Sequence, residues 1–293
     1  MGARLILALM RLLARLPFGT LVRAGELLGI AAYWVVVPRR RVCLINLEKC
    51  FPEQTPSERR ALAKAHFRLL GRFVLEHGVM WWGARARFAE LVQYENKALL
   101  DACLGEPLII LAPHFLGLDM GGVRLTLDTS LASMYQKQKN AVFDEQIRAG
   151  RLRFTDARSR LFSRQDGVMA IARAIRSGIP LYYLPDLDFG PRDTIFVPFF
   201  GIPTATITGV ARLAKVARAR VLPCVTEMLP GDRGYRIRFY PPWTDFPTDD
   251  VAADTRRVNA FIEERVREMP AQYYWVHKRF KTRPPGAPSF YRR

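Results

Sequence analysis

The clearest periodic signal along the chain is helical. Leu62, Phe67, Leu69, Leu70, Phe73 and Val74 recur at helical spacing and lead into Trp81-Trp82, which predicts a long amphipathic helix. Its start is marked by Thr55-Pro56-Ser57-Glu58, a capping box with proline at the first helical position. A second helix is predicted over residues 88–104. The run 107–111 (PLIIL) is apolar throughout and bounded by proline, as a buried parallel strand requires. Downstream, helices are predicted over 116–127, 166–177 (closed by Gly178), 206–217 and 251–268, with strands over 179–184, 220–225 and 235–240. Strands alternating with helices argue for an α/β fold, a mixed but largely parallel central sheet flanked by helices.

The first forty residues read differently. On a helix turning about 100° per residue, Arg4, Arg11 and Arg15 fall within about 40° of one another, while Leu5, Leu9, Leu12, Leu13 and Leu16 lie away from that stripe. A second apolar run, 27–37, ends at Pro38-Arg39-Arg40-Arg41 and is too short to span a bilayer, which takes about 20 residues. Extending it back to Leu16 reaches that length but takes in Arg23 and Glu26, which pair readily at i,i+3. An interfacial helix, a true span and a helix packed on the domain all remain open. A cleaved signal peptide is not expected, because no small-residue cleavage site follows a clean apolar core. The division expected is a membrane-associated helical segment over 1–40 and a catalytic domain over 41–293.

Charge narrows the choice of partners. The 293 residues carry 45 Lys+Arg against 27 Asp+Glu, a net +18, which calls for an anionic partner: a membrane surface, an acidic substrate or nucleic acid. Eight of the basic residues crowd between Lys137 and Arg164, and Lys278, Arg279, Lys281, Arg283, Arg292 and Arg293 crowd the C-terminus without an acid. Nucleic acid ranks last, since no zinc-finger or RRM pattern occurs. No P-loop or GxGxxG supports a nucleotide cofactor. The 4 cysteines form no CxxC pair, which speaks against a zinc ribbon or redox motif and suits a reducing compartment.

Of the four histidines, His66, His77 and His277 have bland settings in a helix or a Trp-Val-His-Lys stretch. His114 follows the buried-type strand and Pro113 and opens a helix, where α/β folds gather catalytic groups. Asp119 stands five residues on. With His114 in the turn and Asp119 in the first helical turns, the carboxylate can fold back to orient the imidazole. No GxSxG is present, so the imidazole would act directly on a substrate hydroxyl. By chance alone His-x4-Asp is common, and on spacing and context the structural pair is the favoured reading. Asp186 and Asp188 follow the next strand in Pro185-Asp186-Leu187-Asp188-Phe189-Gly190-Pro191-Arg192. There they read either as hard oxygen ligands or as an acidic turn.

These segments resemble the lipid A biosynthesis late acyltransferases, the lauroyl and myristoyl transferases of bacterial inner membranes. The likeness is carried by Asn46-Leu47-Glu48-Lys49-Cys50-Phe51-Pro52-Glu53, by His114-Phe115-Leu116-Gly117-Leu118-Asp119, and by the 185–192 segment. Phe196-Val197-Pro198-Phe199-Phe200 and residues 276–284 (VHKRFKTRP) complete it. The resemblance implies a glycerolipid-acyltransferase-like fold with His114 as general base and Asp119 as its orienter. It marks Arg151, in Gly150-Arg151-Leu152-Arg153, and Asp186. Together with Asp188, Arg192 and Lys137, these are candidates for substrate binding or oxyanion stabilisation. Neither a metal nor a cofactor is expected. The implied donor is an acyl thioester on acyl carrier protein, and the implied acceptor a hydroxyacyl chain of a phosphorylated glycolipid, the lipid A precursor. The implied setting is the anionic inner membrane, at its cytoplasmic face. A glycerolipid (lysophospholipid-type) acyltransferase, which shares His-x4-Asp, and a non-catalytic protein binding anionic lipid are the alternatives.

Overall fold

The chain begins with α1 (Gly2–Leu13), α2 (Phe18–Val35), α3 (Val37–Cys50) and α4 (Pro56–Trp82), followed by α5 (Arg85–Leu91), β1 (Val92–Glu95) and α6 (Lys97–Asp101). Then come β2 (Leu108–Leu111), α7 (Leu118–Leu125), β3 (Ala132–Met134), α8 (Ala141–Leu152), β4 (Arg160–Phe162), α9 (Gly167–Arg176) and β5 (Leu181–Tyr183). A hairpin of β6 (Thr194–Phe199) and β7 (Ile202–Ile207) precedes α10 (Gly209–Ala217), β8 (Arg220–Met228), β9 (Tyr235–Phe239) and α11 (Val251–Glu268). This computed structural model describes residues 2–163 and 165–291; Arg164, Arg292 and Arg293, counted above in the basic runs, lie outside the described residues.

The seven-stranded sheet has the order β1-β9-β8-β2-β5-β3-β4. Every pairing is parallel except β8 with β9. The strand β2 sits between β8 and β5 and is buried along its whole length, which is why its sequence is apolar without alternation. Ile109 and Leu111 enter one core with α9, α10 and α11, while Leu108 and Ile110 enter the other with α5 and α7.

Thr55 and Glu58 cap α4 reciprocally, Glu58 N–H donating to Thr55 Oγ1 at 3.3 Å and Thr55 N–H to Glu58 Oε2 at 2.6 Å. The helix predicted over 88–104 is instead interrupted by β1. Residues 92–95 pair in parallel with 235–238, and Asn96 then takes a left-handed φ of 59° that ends the strand. Tertiary pairing overrides the local periodicity there. Thr206 and Ile207 likewise belong to β7 rather than to α10.

At the N-terminus Pro38 does not terminate a helix. It lies in the first turn of α3, where its missing N–H leaves no bond unmade, and the chain bends by 90° between α2 and α3. No single helix among the described residues is long and apolar enough to cross a membrane; α2 and α3 meet that test only together, as a bent pair. The helices α2 and α4 pack backbone to backbone through glycine: a Cβ on Gly29 would lie 2.0 Å from Phe67 O, and one on Gly71 2.1 Å from Gly25 O. Residues 18–35 are therefore built into the body of the protein. In contrast, Leu5, Leu9 and Leu12 of α1 and Leu27, Trp34 and Val35 of α2 are exposed.

Candidate active site

Adjacent parallel strands in register bring distant residues together at their carboxyl ends. In the pairing of β2 with β5, Leu111 stands opposite Tyr183, and Ala112 N–H donates to Tyr183 O at 2.9 Å. Three positions further along each strand lie His114 and Asp186. Asp186 is fully buried, and its carboxylate accepts from His114 Nδ1 at 2.7 Å and from the His114 backbone N–H at 3.0 and 3.1 Å. Burial acts to raise the Asp186 pKa, but the charge and the two donors of His114 outweigh it and hold the carboxyl below its usual range.

The backbone of His114 is fixed from the other side by residues 272–274. Leu116 N–H donates to Gln272 O, Tyr274 N–H donates to His114 O, both at 2.9 Å, and Phe115 bridges to Tyr273. With Nδ1 donating to Asp186, the imidazole presents Nε2 as its basic nitrogen, and no hydrogen bond to Nε2 occurs among the described residues.

The expected fold-back of Asp119 onto His114 is not what this geometry gives. Asp119 lies in the first turn of α7, and α7 is pressed onto β8: a Cβ on Gly117 would lie 2.5 Å from Thr226 O, and one on Gly121 1.9 Å from Thr226 Oγ1. The carboxylate is held instead by α4 and α8. His77 Nε2 lies 3.2 Å from Asp119 Oδ2, and Arg151 Nη2 donates to Asp119 Oδ1 at 3.0 Å. Burial raises the Asp119 pKa, yet Arg151 first and then His77 and His114 drive it well below the carboxylate range. His77 Nδ1 also faces Phe73 O, so the ring makes both bonds together only with both nitrogens protonated. The orienting carboxylate of His114 is thus Asp186, while Asp119 anchors a neighbouring ion network.

Arg151 spends one N–H on Asp119 and one on Met134 O (3.2 Å), leaving three of its five donors. The amide groups of His114, Phe115, Leu116 and Leu118, just after β2, already have acceptors and are not free to hold an oxyanion. Asp188 is buried, and its oxygens accept from Gly190 N–H (2.9 Å), Thr282 N–H (2.6 Å) and Thr282 Oγ1 (2.8 Å). Asp186 and Asp188 therefore serve separate networks rather than converging on one point, and no group of three or more His, Cys, Asp or Glu among the described residues is placed to hold a metal ion. Lys137 and Arg192 are exposed, and neither is joined to the His114 cluster by a hydrogen bond or ion pair among the described residues. A crevice opens beside Asp119 and Arg151, walled by Val123, Leu131, Leu161 and Tyr182.

The bacterial lipid A biosynthesis acyltransferase family matches residues 1–282. The chain belongs to this family. It is 32% identical to the lipid A biosynthesis lauroyltransferase of Escherichia coli (strain K12) over 96% of this chain and 91% of that protein. It is 29% identical to the palmitoleoyltransferase of the same strain over 97% and 92%, and 32% identical to the myristoyltransferase over 87% and 79%. Among solved structures, the 1-acyl-sn-glycerophosphate acyltransferase PlsC from Thermotoga maritima aligns at a TM-score of 0.39 and 14% identity over 87% of this chain and 98% of that one, too distant to bear on the argument. The family match sets aside the non-catalytic alternative: the chain is an acyltransferase.

Two histidines of this acyltransferase that looked bland in sequence belong to the site. His77 grips Asp119. His277 accepts Asp188 N–H on Nε2 at 3.0 Å, and its pKa is pushed down to about 4, by burial first and then by the charges of His114 and Arg279. The missed signal for His77 was its position on the buried face of α4, between Phe73 and Trp81. The likeness at Asn46 also has a physical basis. Its buried Nδ2 donates to Trp275 O and His277 O, both at 2.7 Å, and so ties α3 to the segment that backs Asp186 and Asp188.

Proposed function

We propose that this acyltransferase moves a fatty acyl group from an acyl-carrier-protein thioester to the hydroxyl of a hydroxyacyl chain on a phosphorylated glycolipid, a lipid A precursor, at the cytoplasmic face of the inner membrane. The observation that carries the reading is the His114–Asp186 pair at the ends of adjacent parallel strands, with Nε2 unengaged. Asp186 holds the tautomer, and Nε2 takes the hydroxyl proton as oxygen attacks the thioester carbonyl. Arg151, with donors to spare, stabilises the tetrahedral oxyanion. The intermediate collapses, the C–S bond breaks, and the imidazolium returns its proton to the departing thiolate.

Relatives named for lauroyl, palmitoleoyl and myristoyl transfer leave chain length open within the family. The exposed leucines of α1 supply an apolar face for the bilayer, and the +18 charge favours both an acidic carrier and an anionic surface. The test is transfer by purified enzyme from an acyl-carrier donor to a lipid A precursor, followed by mass spectrometry. A mass gain of one acyl group with wild type, lost in a folded His114→Ala variant, is expected; full turnover by that variant would end the mechanism.

A further inference from the structure

A cleft of about 370 Å³ lies where α1, α4 and the end of α8 meet, lined by Arg11, Ala14, Arg15, Trp81, Trp82 and Arg153. Its lining holds three arginines and no acid. Two structural arginines prepare it. Arg153 donates to Met80 O (3.0 Å) and Gly83 O at the carboxyl end of α4, and Arg87 to Ala14 O (3.1 Å) and Leu16 O (2.8 Å) just past α1. Both helix ends would otherwise present negative carbonyls to the cleft. Arg11 and Arg15 are exposed, with no hydrogen bond or ion pair among the described residues. Trp81 is only 8% exposed, and its indole N–H has no acceptor. The indole nitrogen packs against Gly150 of α8, so the charge of the lining comes from the guanidinium groups alone.

Position defines the anion further. Arg11 lies on α1, which exposes Leu5, Leu9 and Leu12 on a different face, and Arg15 lies two residues past its end. The cleft also adjoins the candidate active site. The Trp81 ring lies 5.4 Å from that of His77, which reaches Asp119 at 3.2 Å. Arg151, in the last turn of α8, serves Asp119, while Arg153, just past its end, lines the cleft. Several guanidinium forks around one small space fit a phosphate better than a single carboxylate.

We propose that this cleft binds a phosphate group of the lipid acceptor and so fixes the acceptor's head beside the crevice while its hydroxyl reaches His114. The proposal rests on the lipid-acceptor reading above. The probes are the phosphorylated disaccharide lipid in neutral detergent micelles and the same lipid stripped of phosphate, with binding measured without donor and KM measured with it. Wild type should prefer the phosphorylated lipid in both. In Arg11→Gln/Arg15→Gln the Kd for the phosphorylated lipid should rise about tenfold, the order expected for losing charge-assisted bonds, and the preference should shrink toward one.

A preference that survives in the double variant, or equal weakening toward both lipids, overturns the proposal. A third arm uses phosphatidylcholine vesicles with and without phosphatidylglycerol. If the variant loses only its affinity for anionic vesicles and still discriminates in micelles, the cleft serves bulk lipid headgroups and the acceptor assignment is wrong. If wild type transfers to no acceptor yet the binding preference behaves as expected, the activity reading fails and the phosphate site stands.

Discussion

Replacing Asp186 by asparagine tests which carboxylate orients His114. The change keeps size and removes charge from a fully buried group that receives the His114 backbone N–H and Nδ1. An asparagine offers one accepting oxygen where the carboxylate offered two. With its oxygen at the Oδ1 position, 2.7 Å from Nδ1, its NH₂ lies about where Oδ2 was, 3.0 Å from another donor, the His114 N–H. With the amide flipped, the NH₂ donates to Nδ1, moves the ring proton to Nε2 and removes the basic lone pair. In either arrangement the NH₂ faces the backbone N–H, at about 3.0 or 3.1 Å, and the charge that holds the productive tautomer is gone. Loss of a positioned general base costs typically 10²–10⁴-fold, or about 3–5 kcal/mol in activation free energy at 1.36 kcal/mol per tenfold. Acyl transfer by Asp186→Asn should therefore fall by about a thousandfold in kcat/KM. A melting curve run alongside would register the loss of a charge-assisted bond, about 2 kcal/mol, within what a folded protein tolerates. A folded Asp186→Asn variant within tenfold of wild type, or one impaired less than Asp119→Asn, would refute the reasoning and return the orienting role to Asp119.

His77→Phe should lower kcat by about tenfold by releasing Asp119 on one side, and His77→Gln, which keeps a donor, should recover part of it; steady-state kinetics with both variants decides. Deleting residues 1–40 would strip the glycine-packed face of α4, so membrane attachment is better tested by Leu5→Ser/Leu9→Ser/Leu12→Ser. That variant should move toward the soluble fraction on sedimentation while keeping its melting temperature. His66 and His277 are both held neutral, with pKa values near 4 against an ordinary 6.5, burial being the main cause in each. The folded state therefore binds fewer protons than the unfolded one between pH 6.5 and 4, and the melting temperature should fall as pH drops through that window. In His277→Gln that fall should be shallower.

Much of the architecture is determined by the sequence itself. The capping box at Thr55, the apolar run 107–111 and the helix over residues 251–268 are local signals, set by backbone capping, burial on both faces and a 3.6-residue period, and they hold in the folded chain. The positions of His114 and Asp186 just past two strands are likewise written in the chain, and the likeness to known sequences marks both. What only tertiary structure decides is who meets whom. Asp119 is five residues from His114, yet the packing of α7 on β8 turns it toward His77 and Arg151, which come from helices distant in the chain. Asp186 is distant in sequence but in register with His114, because β2 and β5 pair in parallel. β1 exists only because β9 is there to pair with it. Hydrogen-bond partners across a sheet and charges across a helix interface depend on register and crossing geometry, and a one-dimensional pattern records neither.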